Sequence, residues 1–283
     1  MVWSVASAVR DLPRLREISS VLIRHGLGDV VRRAGVASLL ERAGQVLHWG
    51  EAGEITHLEP PQRVRLACEE LGPTFVKLGQ MLSTREDLLS PAWTAELAAL
   101  HSNVTPVSFD ALLPQVERAL GRSPFEVFVD LEREPYAAAS IAQVHRAKLP
   151  NGAAVVLKIR RPGIEAKIQA DLRILQHLAH LVEHEMPETR RYRPVQVVHQ
   201  LRRSLERELD LAVEARNTER FARNFAGDAD ILVPHVYGQS TSRVMIVQEE
   251  IVGIRGNDLA AILMPPAWTE RCWRPAGRMP CSR

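Results

Sequence analysis

Residues 136–163, YAAASIAQVHRAKLPNGAAVVLKIRRPG, constrain the fold of this chain more than any other stretch. They read as strand, tight turn, strand. Asn151-Gly152 is a hairpin signal, because both residue types tolerate the positive φ that a primed turn requires. From Ala153 to Arg160 the side chains alternate. Val155, Leu157 and Ile159 share one face, while Val156, Lys158 and Arg160 share the other. Taken alone, the stretch fits an ordinary hairpin whose lysine reaches solvent along its aliphatic stem. A phosphate-binding lysine on the inner side of a β-rich run fits it equally well.

Bulk properties narrow the classes. A length of 283 residues suits one large domain or two smaller ones. The 36 basic and 34 acidic residues nearly cancel, at +2, which gives no case for a nucleic-acid partner. Cys68, Cys272 and Cys281 form no CxxC pair and no His/Cys cluster at ligand spacing. Neither a metal site nor a disulfide framework is expected, and a reducing compartment is the default. No run of about 18 apolar residues occurs, and no signal-peptide core is evident. The expectation is a cytoplasmic chain, at most peripheral to the inner membrane.

Residues 12–48 carry Leu15, Ile18, Leu22, Leu27, Val30, Val31, Leu39 and Leu40 at helical spacing, interleaved with Arg14, Arg16, Arg24, Arg32, Arg33 and Arg42. Gly26-Leu27-Gly28 breaks this run. Such a basic amphipathic stretch either packs its stripe on its own domain or lies on an anionic surface. Pro60-Pro61 opens a further helix, ended by Gly72-Pro73. In the segment that follows, Thr74, Lys77 and Gln80-Met81 fall on one helical face; Phe75, Leu78 and Leu82 fall on the other. Pro106–Asp110 reads as a linker with an N-cap. Beyond Gly163 the periodicity predicts a helix over 164–184, then one long helix over roughly Val195–Phe225. Within that helix Asp210, Glu214 and Asn217 share a face, with Glu208 beside them. Ile231–Tyr237 and Arg243–Ile251 read as strands. After about Leu259 periodicity is lost, and an irregular tail is expected.

Four segments in order carry a family resemblance: Lys77-Leu78-Gly79-Gln80, Ala137-Ala138-Ala139-Ser140, Lys158 in VVLKIRRPGI, and Glu208-Leu209-Asp210 followed by Glu214 and Asn217. Across roughly residues 10–258 the chain resembles the UbiB/ADCK (AarF-type) atypical kinase-like family. The resemblance implies an α+β fold, a protein-kinase-like small lobe (antiparallel sheet plus long helix) with an N-terminal all-helical extension. The implied division is 1–105 for the extension, 106–258 for the lobe and 259–283 for the tail. It implies ATP or ADP as ligand, with Ala137, Ala138, Ala139, Ser140, Val156 and Lys158 around it, and Glu214 as the ion-pair partner of Lys158. Lys77 and Gln80 would reach over the cleft toward Glu208 and Asp210. The family is further associated with ATPase or unorthodox kinase activity, and with ubiquinone biosynthesis at membranes. Its expected partners are therefore nucleotide, a membrane surface and quinone-biosynthesis proteins.

Two departures temper this. Val156 stands where kinase lobes usually have Ala, which narrows the wall beside a purine. No His-x-Asp or Asp-Phe-Gly segment occurs among the 283 residues, and those groups hold Mg²⁺ and orient the acceptor. The sequence therefore reads as a C-terminally truncated family member, incomplete for phosphoryl transfer and without the family's metal ligands. A non-catalytic helical module that binds a membrane or a partner is the alternative, and a shifted reading frame downstream is a third reading.

Overall fold

The structure, a computed structural model, describes residues 5–33, 35–42, 44, 57–100, 105–185 and 187–254. The chain divides into two compact units, Met1–Glu249 and Glu250–Arg283. Of the second, only residues 250–254 are described, and they hold no regular structure. The tail expected over 259–283 lies outside the described residues.

The first unit begins with α1 (Val5–Arg24), α2 (Gly28–Arg33) and α3 (Val36–Arg42). Gly26, at φ 68°, turns the chain out of α1, and the Leu27 amide closes the end on Leu22 O. Next come α4 (Pro60–Leu71) and α5 (Pro73–Ser83), separated by Gly72 at φ 97°. Each starts with proline, whose missing N–H costs nothing in a first turn. Leu15, Ile18 and Val21 of α1 pack with Leu71 and Phe75 from this pair. After α6 (Pro91–Ala98), α7 (Phe109–Leu120) and α8 (Pro124–Val127), the chain enters its sheet.

Four strands, β1 (Ala137–Ala138), β2 (Ala142–Lys148), β3 (Ala154–Arg160) and β4 (Met245–Glu249), pair antiparallel in the order β1-β2-β3-β4. The alternation read from the sequence holds in β3: Val155, Leu157 and Ile159 have no exposed surface. They join Met245 and Val247 beneath Phe109, Leu112 and Val116 of α7. Between β3 and β4 run α9 (Ile164–Glu185), a 3₁₀ turn over Pro187–Tyr192, α10 (Pro194–Leu209) and α11 (Leu211–Asn224). Helices α9 and α10 pair through Ile168, Leu172, Leu201 and Leu205, all essentially buried. Each such side chain contributes about 1.5–3 kcal/mol.

Three local expectations are corrected. The helix over Val195–Phe225 is two helices, broken at Asp210, whose ψ of 89° lies outside the helical region. Its side chain caps α11 by accepting the Ala212 amide at 3.1 Å. Ile231–Tyr237 is not a strand. Only Val236 bridges, to Gln248, while Ile231 and Leu232 are exposed. The hairpin turn is a three-residue loop, not a two-residue primed turn: Leu149 N donates to Ala153 O, and Gly152 N to Leu149 O. Within it only Gly152 takes positive φ, at 86°, while Asn151 Oδ1 accepts the Ala153 amide at 3.1 Å.

Candidate functional site

Residues directly opposite in an antiparallel sheet share a face. Lys158 therefore stands beside Val144 of β2 and Ile246 of β4, and Val156 beside Arg146 and Gln248. This is the face that α7 leaves uncovered. Its cover is α11, whose Leu211 and Ala215 pack on Ile246 and Val236. Glu214, one residue before Ala215, is thereby held over the middle of β3. Lys158 Nζ lies 2.9 and 2.7 Å from its two carboxylate oxygens. Both side chains keep partial solvent access, 29% and 41%. The pair is thus a reachable charged group rather than a sealed one.

The two other acidic residues of the same segment are held elsewhere. Glu208, on the last turn of α10, pairs with Lys77 of α5 and so ties the helical extension to the lobe. Asp210 forms an ion pair with Arg243, whose Nε lies 3.2 Å away just ahead of β4, besides capping α11. The Leu211 amide donates to Arg243 O, so the start of α11 is fixed to the β4 approach by backbone as well as charge. Arg160 adds a third clasp, donating to Leu209 O and to Glu165, both at 2.8 Å.

Gln80 differs from the expectation. Its side chain is exposed and donates to Leu100 O at 3.4 Å, so it does not meet Glu208 or Asp210. The reason is its neighbour Gly79, which packs so closely on α6 and its end that a Cβ would overlap Leu100 Cδ1. Residue 80 is thereby turned toward the α6 end. Asn217 is exposed and accepts from Arg220 at 3.5 Å, with no hydrogen bond to Lys158 among the described residues.

In the alanine segment, Ala137 and Ala138 form β1, paired with Val144 and Gln143. The Ala139 amide is occupied by Ala142 O at 2.8 Å, and Ser140 follows in the loop to β2. None of the four has positive φ. The Ala139 amide is therefore not free for a ligand. Beside it the Arg146 guanidinium lies 3.8 Å over the Tyr136 ring. Among the described residues no group of three or more His, Cys, Asp or Glu converges as a metal site.

Two buried polar centres escaped the sequence reading. Arg14, Thr74 and Asp171 form one, described below. In the other, Gln143 exchanges hydrogen bonds with the backbone of Val107 and contacts His145 Nε2 at 3.0 Å. His145 Nδ1 lies 3.0 Å from Glu132 O. This makes His145 the Nδ1–H tautomer, with every donor and acceptor used. Gln143 and His145, two apart on one face of β2, are polar types that alternation assigns to the solvent side, so their burial gave no signal.

Comparison with known proteins places this geometry in a family. Residues 99–265 match the ABC1 atypical kinase-like domain. The chain is 46% identical over 203 residues to "Probable protein kinase UbiB" of Sodalis glossinidius, and 45% identical over 201 residues to the protein of that name from Aeromonas hydrophila. In both cases the match takes in 71% of this chain and 37% of the relative, so the chain spans little more than a third of these relatives' length. A solved structure from Mycobacterium tuberculosis, described as "The complex structure of Rv3197-erythromycin", aligns with TM-score 0.48 at 24% identity over 85% of this chain and 55% of that one. The chain belongs to the UbiB/ADCK family of ABC1 atypical kinase-like proteins, with that family's α+β kinase-like fold.

Proposed function

We propose that this chain binds an adenine nucleotide, ATP or ADP, on the sheet face that carries Lys158, and that it does so within a UbiB-type role in isoprenoid quinone biosynthesis. The observation that carries the reading is the Lys158–Glu214 pair, with Nζ at 2.9 and 2.7 Å from the carboxylate. In kinase-like lobes such a glutamate orients the lysine toward nucleotide phosphates. Lys158 would meet the phosphates, Val156 would border the base, and the turn at Ala137, Ala138, Ala139 and Ser140 would lie over the ligand. Because Ala139 N is already bonded within that turn, the lysine rather than loop amides supplies most of the phosphate attraction. Lys77 and Glu208 would hold the extension against the lobe from the outside, while Gln80 has no role in the ligand site.

The described residues hold no convergent ligand set for the Mg²⁺ that the family implies. The reading is binding without phosphoryl transfer by these residues. The link to quinone biosynthesis, and to membrane or protein partners there, rests on the relatives named UbiB.

Calorimetric titration with ADP and ATP tests the site. Lys158→Ala and Glu214→Ala should each weaken binding by a similar factor, and the double variant by little more, because each leaves the other without its partner. Strictly additive losses would remove Glu214 from the role. A chain that shows no saturable nucleotide binding would remove the function.

A further inference from the structure

At the end of the sheet opposite the β2–β3 turn lies a cavity of about 450 Å³, between α7 and the approach to β4. Gln115, Arg118, Arg160, Ser242 and Arg243 line it, with small apolar side chains between them. Its size falls within the roughly 300–1,000 Å³ of small-molecule sites. Three arginines border it, and no acidic residue does.

The three are not equivalent. Arg160 uses its terminal nitrogens on Leu209 O and Glu165, so it frames the wall. Arg118 donates only Nε, to Pro114 O at 2.9 Å. Arg243 is ion-paired with Asp210, its Nε at 3.2 Å. The terminal amino groups of both donate no hydrogen bond among the described residues. Asp210 offsets part of the Arg243 charge, but Arg118 has no carboxylate partner among the described residues, and the two guanidinium ends border a concavity whose lining holds no acidic side chain, which leaves positive potential there. Their backbones are fixed. Gln115 on α7 donates to Arg160 O, Arg160 N donates to Val244 O, and Arg243 O accepts from Leu211 N. Ser242 Oγ, accepting from Val244 N at 3.3 Å, keeps its own proton to donate.

We propose that this cavity is an anion site, distinct from the Lys158 face, which takes a phosphate or pyrophosphate group on the paired forks of Arg118 and Arg243. Planar guanidinium forks match phosphate oxygens two at a time, which a single lysine cannot do.

Pyrophosphate titrated into the full chain at low ionic strength should bind saturably, with one equivalent that survives Lys158→Ala. Arg118→Gln and Arg243→Gln should each weaken it about ten-fold. Lys158→Ala should leave it unchanged, which separates this site from the nucleotide face. Both arginines are exposed, so circular dichroism should show the variants folded, and Arg118→Lys and Arg243→Lys, which keep charge but lose the fork, should fall between. Sedimentation with phosphatidate vesicles, competed by pyrophosphate, tells a lipid headgroup from a soluble phosphoanion as the source of the group. The proposal is overturned by an absence of saturable binding, by an equal loss on Arg190→Gln, an exposed arginine outside the cavity, or by loss on Lys158→Ala alone.

Discussion

Asp171, on α9, has no exposed surface, and donors from two other helices converge on it. Arg14 donates from Nε at 2.6 Å and from Nη2 at 3.2 Å, and Thr74 Oγ1 at 2.7 Å. Arg14 Nη2 also reaches Leu71 O, and its Nη1 lies 2.7 Å from Glu17, close enough for charge pairing but not aligned as a hydrogen bond. Burial pushes the Asp171 carboxyl up, against the pull of Arg14 and Thr74. Removing one member strands the other. Arg14→Ala should cost about 3–5 kcal/mol in urea unfolding. Thr74→Val, which removes one of several donors, should cost about 1 kcal/mol. Equal effects would mean that the pair is not the anchor. None of this was legible, because Arg14 sits in a row of arginines that periodicity assigns to a polar face. His145 gives the pH signature at this scale. Burial, outweighing the Glu132 carbonyl and the Glu134 and Glu132 charges, lowers it from its ordinary 6.5. The neutral ring is the folded form, so its stability is fully present above about 6.5 and is lost as pH falls through the folded pKa. Urea midpoints should drop on going from about pH 7.5 to 5.5, and His145→Gln should flatten that slope.

At the scale of elements, the break between α10 and α11 sets the site. A single straight helix could not have buried both Leu209 and Leu211, since residues two apart point to nearly opposite sides. That spacing was a readable sign of the break, hidden by a charge run that keeps its own period across it. The edge strand at 231–237 failed for another reason: its β-forming residues have no neighbour to pair with beyond one bridge. The hairpin and the face of β3 were legible because alternation is enforced by a buried layer on one side only. Asp210 holds the break by its cap, and Glu214 lies one turn further on. Asp210→Ala should therefore cost about 1 kcal/mol in thermal unfolding and should weaken nucleotide binding with it. Asp210→Ser retains a capping oxygen and should restore stability while leaving Arg243 unpaired. If Asp210→Ala binds nucleotide as the parent does, the position of Glu214 does not depend on the cap.

For the whole molecule, the helical extension and the lobe share a core within one compact unit. Leu15, Ile18 and Val21 of α1 pack with Ile174 of α9, and Asp11 takes a two-pronged bond from Arg173 at 2.7 Å. The Lys77–Glu208 pair, partly exposed, adds only about 0–1 kcal/mol to this contact, so its value is in alignment. Leu15, Ile18, Val31 and Leu40 of the amphipathic stretch are therefore spent on its own domain, and Val30 apart, a membrane contact by the described residues of that stretch and the turn before it would have to use outward side chains such as Arg10 and Arg16. Deleting residues 1–50 is a poor probe of membrane binding for that reason. It removes Leu15, Ile18, Val21, Ile23, Val31 and Leu40, each worth about 1.5–3 kcal/mol of burial. Their sum rivals the roughly 5–15 kcal/mol that holds a domain together. The deleted chain should lose its sharp urea transition and its near-ultraviolet signal. Arg10→Gln with Arg16→Gln should unfold like the parent, and is the variant in which vesicle binding can be read. A deletion that keeps a cooperative transition at the parent midpoint would make the extension an appendage of the lobe and sink the shared core.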